Sequence, residues 1–144
     1  MEEFLYTNSE AASRDLNQRQ KQYDKALQAV ADVMDLWRDV APKTLQSVIV
    51  FDSEVAEGAL ISGSIFGQPF KINAVPHIRG DAVVAKCIVS AVDHAGDMHV
   101  RGIFLYARDE DVLSENGQVV VSRAVAHPHY LWLCNLIGAF IRTF

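Results

Sequence analysis

The side chains that could bind a charged molecule lie on neighbouring predicted strands. Lys71, Lys86 and Arg101 alternate with the apolar residues of those strands. The polar residues predicted to share their face are Ser62, Ser64, Asn73 and His99. Ammonium and guanidinium groups form strong hydrogen bonds with anions, so this face could bind an anionic ligand or an acidic peptide. The alternative is the solvent-facing side of an antiparallel sheet, which is polar by default.

Five histidines raise the question of a metal site: His77, His94, His99, His127 and His129. His94 and His99 flank a predicted hairpin turn, while His127 and His129 begin the last predicted helix. A metal site would require that turn to meet the helix. Strand alternation puts His94 and His99 on opposite faces, so the two side chains would not converge on one ion. The histidines are therefore interpreted as exposed turn residues. No metal or other cofactor is therefore expected.

Neither cysteine has the surroundings of a nucleophile. Cys87 and Cys134 lie inside apolar runs, which indicates buried thiols in a reducing compartment. A catalytic cysteine needs an exposed thiol beside a base. The dipeptide Gly63-Ser64 does not have the Gly-x-Ser-x-Gly spacing of the nucleophile turn in serine hydrolases. No phosphate-binding loop or dinucleotide fingerprint occurs, so the sequence favours a non-enzymatic role and leaves catalysis open.

The acidic segment 108–117 resembles a calcium loop only in its composition. It contains Asp109, Asp111 and Glu115, but Leu113 and Ser114 stand where an EF-hand loop needs an oxygen ligand and a glycine. The segment is therefore predicted to be a solvated loop.

The elements that position these residues begin with a helix predicted over residues 8–40. Thr7 and Glu10 have capping-box spacing, Asn8 or Ser9 could also cap the helix, and Pro42 marks its end. An apolar stripe with helical spacing follows in the second half: Tyr23, Ala26, Leu27, Val30, Val33, Met34, Trp37 and Val40.

The first half of this helix is mostly polar, so it either projects towards a partner or contains a kink or frayed end near residues 18–22. The residues Leu16, Tyr23, Val30 and Trp37 have heptad spacing, which favours a helix–helix contact.

From residue 45 to residue 123 the pattern is that of an antiparallel sheet. The predicted strands are 45–51, 58–66, 69–76, 82–92, 98–107 and 118–123. Two tight hairpins are predicted at residues 67–68 and 95–96. They would pair Ser62 with Asn73, Ser64 with Lys71, Ala85 with Tyr106, Cys87 with Phe104, Val89 with Gly102 and Ala91 with Val100. One face then becomes apolar, while the polar set above collects on the other, interrupted by Ile88, Ile103 and Leu105.

The last segment is predicted to be a helix over residues 128–143. His127-Pro128 suits a helix start, because proline fits the first turn. The segment is apolar on nearly every side, and such a helix must be buried on every side. Together with the long first helix, this predicts a homodimer or larger homo-oligomer.

Composition limits the class of protein. The chain has 144 residues, of which 50% are hydrophobic and 22% charged, as expected for one globular domain over residues 1–144. The net charge of −5 without a basic run argues against nucleic-acid binding. The apolar run 130–141 is too short to span a bilayer, and the acidic start lacks the features of a signal peptide. A cytoplasmic protein that does not bind membranes is expected.

The expected fold class is α+β, with a long N-terminal helix, a five- to six-stranded antiparallel meander sheet and an apolar C-terminal helix. The expected function is a non-catalytic protein-binding module acting as a homo-oligomer, of secretion-chaperone, immunity or regulatory type. Small acidic proteins of those types share this size, charge and class, which is a fold-level analogy. The secretion-chaperone pattern has a helix between the third and fourth strands, for which residues 77–81 are too few.

The alternative function is a small-ligand-binding protein or small enzyme with a pocket between sheet and helix. The expected partners are a second copy of the chain and either another protein or an anionic ligand.

Overall fold

In a computed structural model that describes residues 6–142, two helices pack on one face of a seven-stranded antiparallel sheet. Helix α1 (Ser9–Thr44) precedes the sheet and helix α2 (Pro128–Arg142) follows it. The strands are β1 (Ile49–Phe51), β2 (Ile61–Ile65), β3 (Gln68–Arg79), β4 (Ala82–Val92), β5 (Met98–Tyr106), β6 (Val112–Ser114) and β7 (Val119–Val121). Their spatial order is their order in sequence, so the sheet is a meander. The predicted α+β class is confirmed, but the prediction missed β6, which lies inside the predicted acidic loop.

Helix α1 is one unbroken element, so the kink considered near residues 18–22 does not end it. Asn8 is the N-cap, and its side chain accepts a hydrogen bond from the Ala11 amide at 3.0 Å. The helix continues to Thr44, past the predicted end, with Pro42 in its last turn. Burial of Ala41 and a hydrogen bond from the Leu45 amide to the Ala41 carbonyl hold this turn despite the proline.

The buried face of α1 is Ala26, Ala29, Val30, Val33, Met34, Trp37 and Ala41. It contains five of the eight residues of the predicted stripe, whereas Tyr23, Leu27 and Val40 are only half-buried. Trp37 meets Trp132 of α2 edge-on, with ring centroids 5.1 Å apart. Of the residues with heptad spacing, Trp37 contacts α2 within the chain, whereas Leu16 is 55% exposed. A contact between the first half of α1 and a partner stays a prediction. The polar first half is attached to the sheet by the Val83 amide, which donates to the Gln22 side chain at 3.1 Å.

The β2–β3 hairpin has a register two residues away from the predicted one. The turn residues are Phe66 and Gly67, both with positive φ (47° and 80°), instead of residues 67 and 68. Ser62 consequently pairs with Lys71, and Ser64 pairs with Pro69. A shift of two residues preserves the alternation of side chains, so the predicted core face is retained.

The β4–β5 hairpin confirms the predicted pairs of Cys87 with Phe104, Val89 with Gly102 and Ala85 with Tyr106. Nearer its turn the register changes, because a bulge between Val89 and Ser90 makes Arg101 an additional residue on β5. Ala91 therefore pairs with His99 and not, as predicted, with Val100. The turn itself is longer than predicted, running from Asp93 to Asp97.

The sheet curls, so its second face is partly covered by its own strands. Val84 and Leu105 are buried but lie outside the main core cluster. The turn between β6 and β7 reaches back across this face, where Glu115 pairs with Lys86 at 2.9 Å. The same turn approaches the end of β3: a Cβ on Gly117 would lie 2.8 Å from the Arg79 guanidinium.

Helix α2 is buried on one side rather than all round. Its buried residues are Trp132, Leu133, Leu136, Ile137 and Phe140. Leu131 and Ile141 are each 39% exposed in the single chain. The last predicted residue of this helix, 143, lies outside the described residues. Within residues 6–142, neither helix is long and apolar enough to cross a membrane.

A matched pair of glycine variants tests the packing of the sheet. A Cβ on Gly63 would lie 2.0 Å from the Val50 carbonyl oxygen of β1, so the backbone must move. We expect Gly63→Ala to lower the free energy of unfolding by about 2 kcal/mol or more. In Gly138→Ala the added Cβ meets only the flexible end of Arg142, at 3.0 Å. In this control the free energy of unfolding should rise by up to about 1 kcal/mol, because alanine has a higher helix propensity than glycine. Urea denaturation measures the free energy of unfolding of both variants. Equal effects would contradict the close approach of Gly63 to the Val50 carbonyl oxygen.

Candidate functional site

The register separates Lys86 from the other two cations of the predicted binding face. Lys71 pairs with Ser90 of β4, and Ser90 pairs with Val100 of β5, beside the bulge residue Arg101. Lys86 lies four residues further along β4, which is about 13 Å of strand. It is also held in the ion pair with Glu115. The structure thus brings Lys71 and Arg101 to the same level of the sheet and leaves Lys86 at another.

Of the polar residues on β2 and β3, Ser62 forms hydrogen bonds within the protein itself. Ser62 is 2% exposed; its hydroxyl donates to Asp52 at 2.9 Å and accepts from the Ala56 amide at 3.0 Å. Ser62 therefore fixes the long connection between β1 and β2. Ser64 and Asn73 are half-buried, and within residues 6–142 the buried Asn73 side-chain oxygen accepts no hydrogen bond.

His99 is engaged at the turn between β4 and β5. Its Nε2 lies 2.8 Å from a carboxylate oxygen of Asp93, and the Asp93 carboxylate also accepts bonds from the amides of Asp97 and Ala95. The hydrogen bond with His99, followed by the Asp97 amide, lowers the pKa of Asp93. Beyond the bulge His99 stands opposite Ala91, a core-face residue. A binding role for the predicted set stays a prediction.

An apolar hollow of about 540 Å³ lies between the end of α1 and the start of α2. Helix α1 contributes Leu36, Val40 and Thr44, which follow one another at four-residue spacing along one flank. Residues 127–130 form the opposite wall. The lining contains no Lys, Arg, Asp or Glu, and Leu36 is 41% exposed. We refer to this feature as the α1–α2 hollow.

Two contacts at His129 position the wall formed by residues 127–130. The Trp37 indole donates to the His129 carbonyl oxygen at 2.8 Å, and the Tyr106 ring meets the His129 ring at 6.1 Å. His127 has a φ of 50°, a left-handed conformation that is strained for a residue other than glycine, and it precedes Pro128. The contacts at His129 hold the chain in this turn, so the wall is fixed by the core.

A smaller polar hollow of about 200 Å³ lies on the other side of His129. Its charged lining residues are Asp109, Glu110 and Arg123. Arg123 is already bound, through its backbone amide to Asp111 at 2.8 Å and through its guanidinium to the Asp109 carbonyl at 3.3 Å. Burial raises the pKa of Tyr106, which therefore remains a neutral phenol at physiological pH. This arrangement can hydrogen-bond a small polar group but offers no activated nucleophile.

The opposite flank of α1 borders the free edge of the sheet. Arg38 and Pro42 line a third hollow, of about 330 Å³, together with residues 49–53 of β1 and its continuation. Trp37 and Ala41 point between the two flanks into the core. The last turns of α1 thus separate two open surfaces.

Sequence reasoning missed both surfaces. Val40 is in the predicted core stripe but lines the hollow, and its four-residue spacing from Leu36 is a signal that could have indicated a second apolar flank. Residues 127–129 were interpreted only as a helix start and as metal-binding candidates. Among residues 6–142, no three His, Cys, Asp or Glu side chains converge to hold a metal ion.

Comparison with known proteins adds no family to this description: no protein-family model, no curated protein and no solved structure matches the chain.

Matched tryptophan variants test the anchor of the α1–α2 hollow. Trp37 and Trp132 are almost fully buried, but only Trp37 has a hydrogen-bond acceptor; the Trp132 Nε1 has none within residues 6–142. Trp37→Phe loses a hydrogen bond, whereas Trp132→Phe removes an unsatisfied donor. We therefore expect Trp37→Phe to lower the free energy of unfolding by about 1 kcal/mol more than Trp132→Phe does. Thermal and urea unfolding compare the two, and a larger loss in Trp132→Phe would contradict the assigned role of Trp37.

The two cysteines should differ in reactivity. Burial raises the pKa of the Cys87 thiol to about 12, so at pH 8 its thiolate is about one part in ten thousand. Cys134 is half-buried on α2. We expect a colorimetric disulfide reagent to modify one thiol in the folded protein and both after denaturation. Cys134→Ser should remove the fast reaction. Rapid modification of Cys87 in the folded chain would show that it is not a core residue.

Cys87→Ser is the matching stability test. A hydroxyl in place of the buried thiol has no assured partner, so the free energy of unfolding should fall by about 1–3 kcal/mol. Cys134→Ser, at a half-buried position, should lower the free energy of unfolding by less. Equal values for the two variants in urea denaturation would contradict the burial of Cys87.

Proposed function

We propose that the chain is a non-catalytic protein-binding module that acts as a homo-oligomer through the α1–α2 hollow. The observation that supports this function is the mainly apolar lining, without Lys, Arg, Asp or Glu, of a hollow between two packed helices. Binding there requires apolar groups rather than charges. Burying a side chain such as Leu or Phe contributes about 1.5–3 kcal/mol, so a few inserted side chains give useful affinity.

A second copy of the chain suits this surface because the same region carries both a hollow and projecting apolar side chains. Leu131 directly follows the wall residue Tyr130 and is 39% exposed. Ile141 is equally exposed but lies about 15 Å further along the same helix. A two-fold interface uses the same patch on both subunits, so it needs a cavity and a projection in one patch. The exposed side of α2 would then be buried in the dimer, as its composition predicts.

The alternative, a small-ligand-binding protein or enzyme, has less support. The polar hollow at Arg123, between sheet and helix, is about 200 Å³, whereas sites that enclose small molecules are typically about 300–1,000 Å³. Its one guanidinium is engaged with a backbone carbonyl. The α1–α2 hollow, at about 540 Å³, has the volume of such a site but lies between the two helices and not between sheet and helix. Among the types suggested by size and charge, the secretion-chaperone type also has less support, because β3 passes to β4 through the turn at residues 80–81 without a helix.

Matched leucine variants on α1 test the proposal. Leu36→Asp places a carboxylate in the hollow, while Leu16→Asp changes another exposed leucine, between five and six turns away on the same helix. We expect light scattering after size exclusion, at about 100 µM protein, to give a dimer or larger for the wild type and Leu16→Asp. Leu36→Asp should give a monomer with nearly unchanged unfolding, since surface substitutions usually change stability by about 0.5 kcal/mol or less.

Two results would refute this assembly. One is a monomeric wild type at that concentration. The other is a Leu36→Asp protein that stays oligomeric while Leu16→Asp dissociates, which would place the interface on the first half of α1.

A further inference from the structure

The free edge of β1 has backbone groups oriented for another strand. The Phe66 amide donates to the Val48 carbonyl, and the Asp52 amide donates to the Ser62 carbonyl. In an antiparallel pair such bonds alternate, so Val48, Val50 and Asp52 face β2. The N–H and C=O groups of the residues between them, Ile49 and Phe51, therefore point away from the sheet. Within residues 6–142 no backbone hydrogen bond reaches these four groups.

Apart from its short length of three residues, this edge lacks the features that usually prevent strand addition. Exposed edge strands are commonly protected by charged residues, prolines or bulges. Residues 47–51 contain neither a charge nor a proline, and the β1–β2 register is regular. The edge is thus chemically able to accept a further strand.

Space for that strand exists beside helix α1. The hollow of about 330 Å³ along the edge has β1 on one side and Arg38 and Pro42 on the other. Side chains of an added strand would alternate, so every second one would face α1. Arg38 is the one cation in this lining, and the one anion, Asp52, accepts a hydrogen bond from the Ser62 hydroxyl at 2.9 Å. The ion pair of Arg38 with Asp35 is long, at 3.8 Å, and both side chains are substantially exposed, so a ligand carboxylate can compete for Arg38.

We propose that the β1 edge binds an extended segment of another protein, which adds as a strand and places an acidic side chain beside Arg38. The backbone groups of Ile49 and Phe51 supply affinity without sequence preference, and Arg38 selects an acidic residue on the helix side. This surface lies on the flank of α1 opposite the α1–α2 hollow. It is therefore distinct from the proposed oligomer interface, and either proposal can fail while the other stands.

The probe is a fluorescein-labelled hexapeptide of alternating valine and threonine with one glutamate at a central position. Two companion peptides carry N-methyl groups on the odd-numbered or on the even-numbered amides. In an added strand only one of these sets faces β1, so one companion should bind at least about tenfold more weakly and the other like the parent. Fluorescence polarisation with protein up to about 1 mM measures all three.

Variants of α1 test the charge preference. Arg38→Ala should weaken binding of the parent peptide about three- to tenfold, and added salt should reduce that difference. Lys43→Ala is the control, because Lys43 is an exposed cation in the same part of the helix that does not line the hollow. Replacing the peptide glutamate by glutamine should abolish the difference between Arg38→Ala and the wild type.

Hydrogen exchange locates the bound strand. The amides of Ile49 and Phe51 should exchange slowly only when the peptide is present, whereas the Val50 amide, which faces β2, should be protected throughout. Three results would overturn the proposal: no binding of the parent peptide at 1 mM, equal affinity of the two methylated peptides, or concentration-dependent protection of Ile49 and Phe51 without peptide. The last result would mean that a second copy of the chain occupies the edge.

Discussion

The indole of Trp37 joins elements that are far apart in sequence. Its N–H donates to the carbonyl of His129, 92 residues away, and its ring packs edge-on against Trp132. Trp132 in turn packs against Phe104 and Tyr106 of β5, so one aromatic cluster holds both helices on the sheet. Because buried aromatic pairs combine large apolar area with specific geometry, this cluster fixes the angle at which the chain enters α2.

Both open surfaces follow from that anchor. With Trp37 and Ala41 directed into the core, the helical rotation of about 100° per residue places Leu36 on one flank and Arg38 on the other. The first flank meets the start of α2, and the second meets the edge of β1. An unbroken helix keeps the two flanks in a fixed relation, so the apolar hollow and the open edge of β1 have a constant relative position.

The sequence predicted what depends on local periodicity. The buried stripe of α1, both ends of β4 and the pairing of Cys87 with Phe104 all follow from alternation that neighbouring residues enforce. It did not predict β6, which is three residues long and sits in an acidic segment. Nor did it predict that Phe66 adopts a positive φ or that Arg101 is a bulge residue, because both depend on strand twist and packing rather than on residue type.

The candidate site was harder to predict than the fold for a related reason. Alternation tells which side chains share a face, but it does not tell what covers that face. Curling brings Glu115 onto Lys86 and buries Leu105, so part of a face that is polar by pattern is occupied by the protein itself. The remaining open apolar and backbone groups lie where helix α1 ends beside elements distant in sequence. Such surfaces arise from the relative placement of elements, and that placement depends on the long-range contact at Trp37.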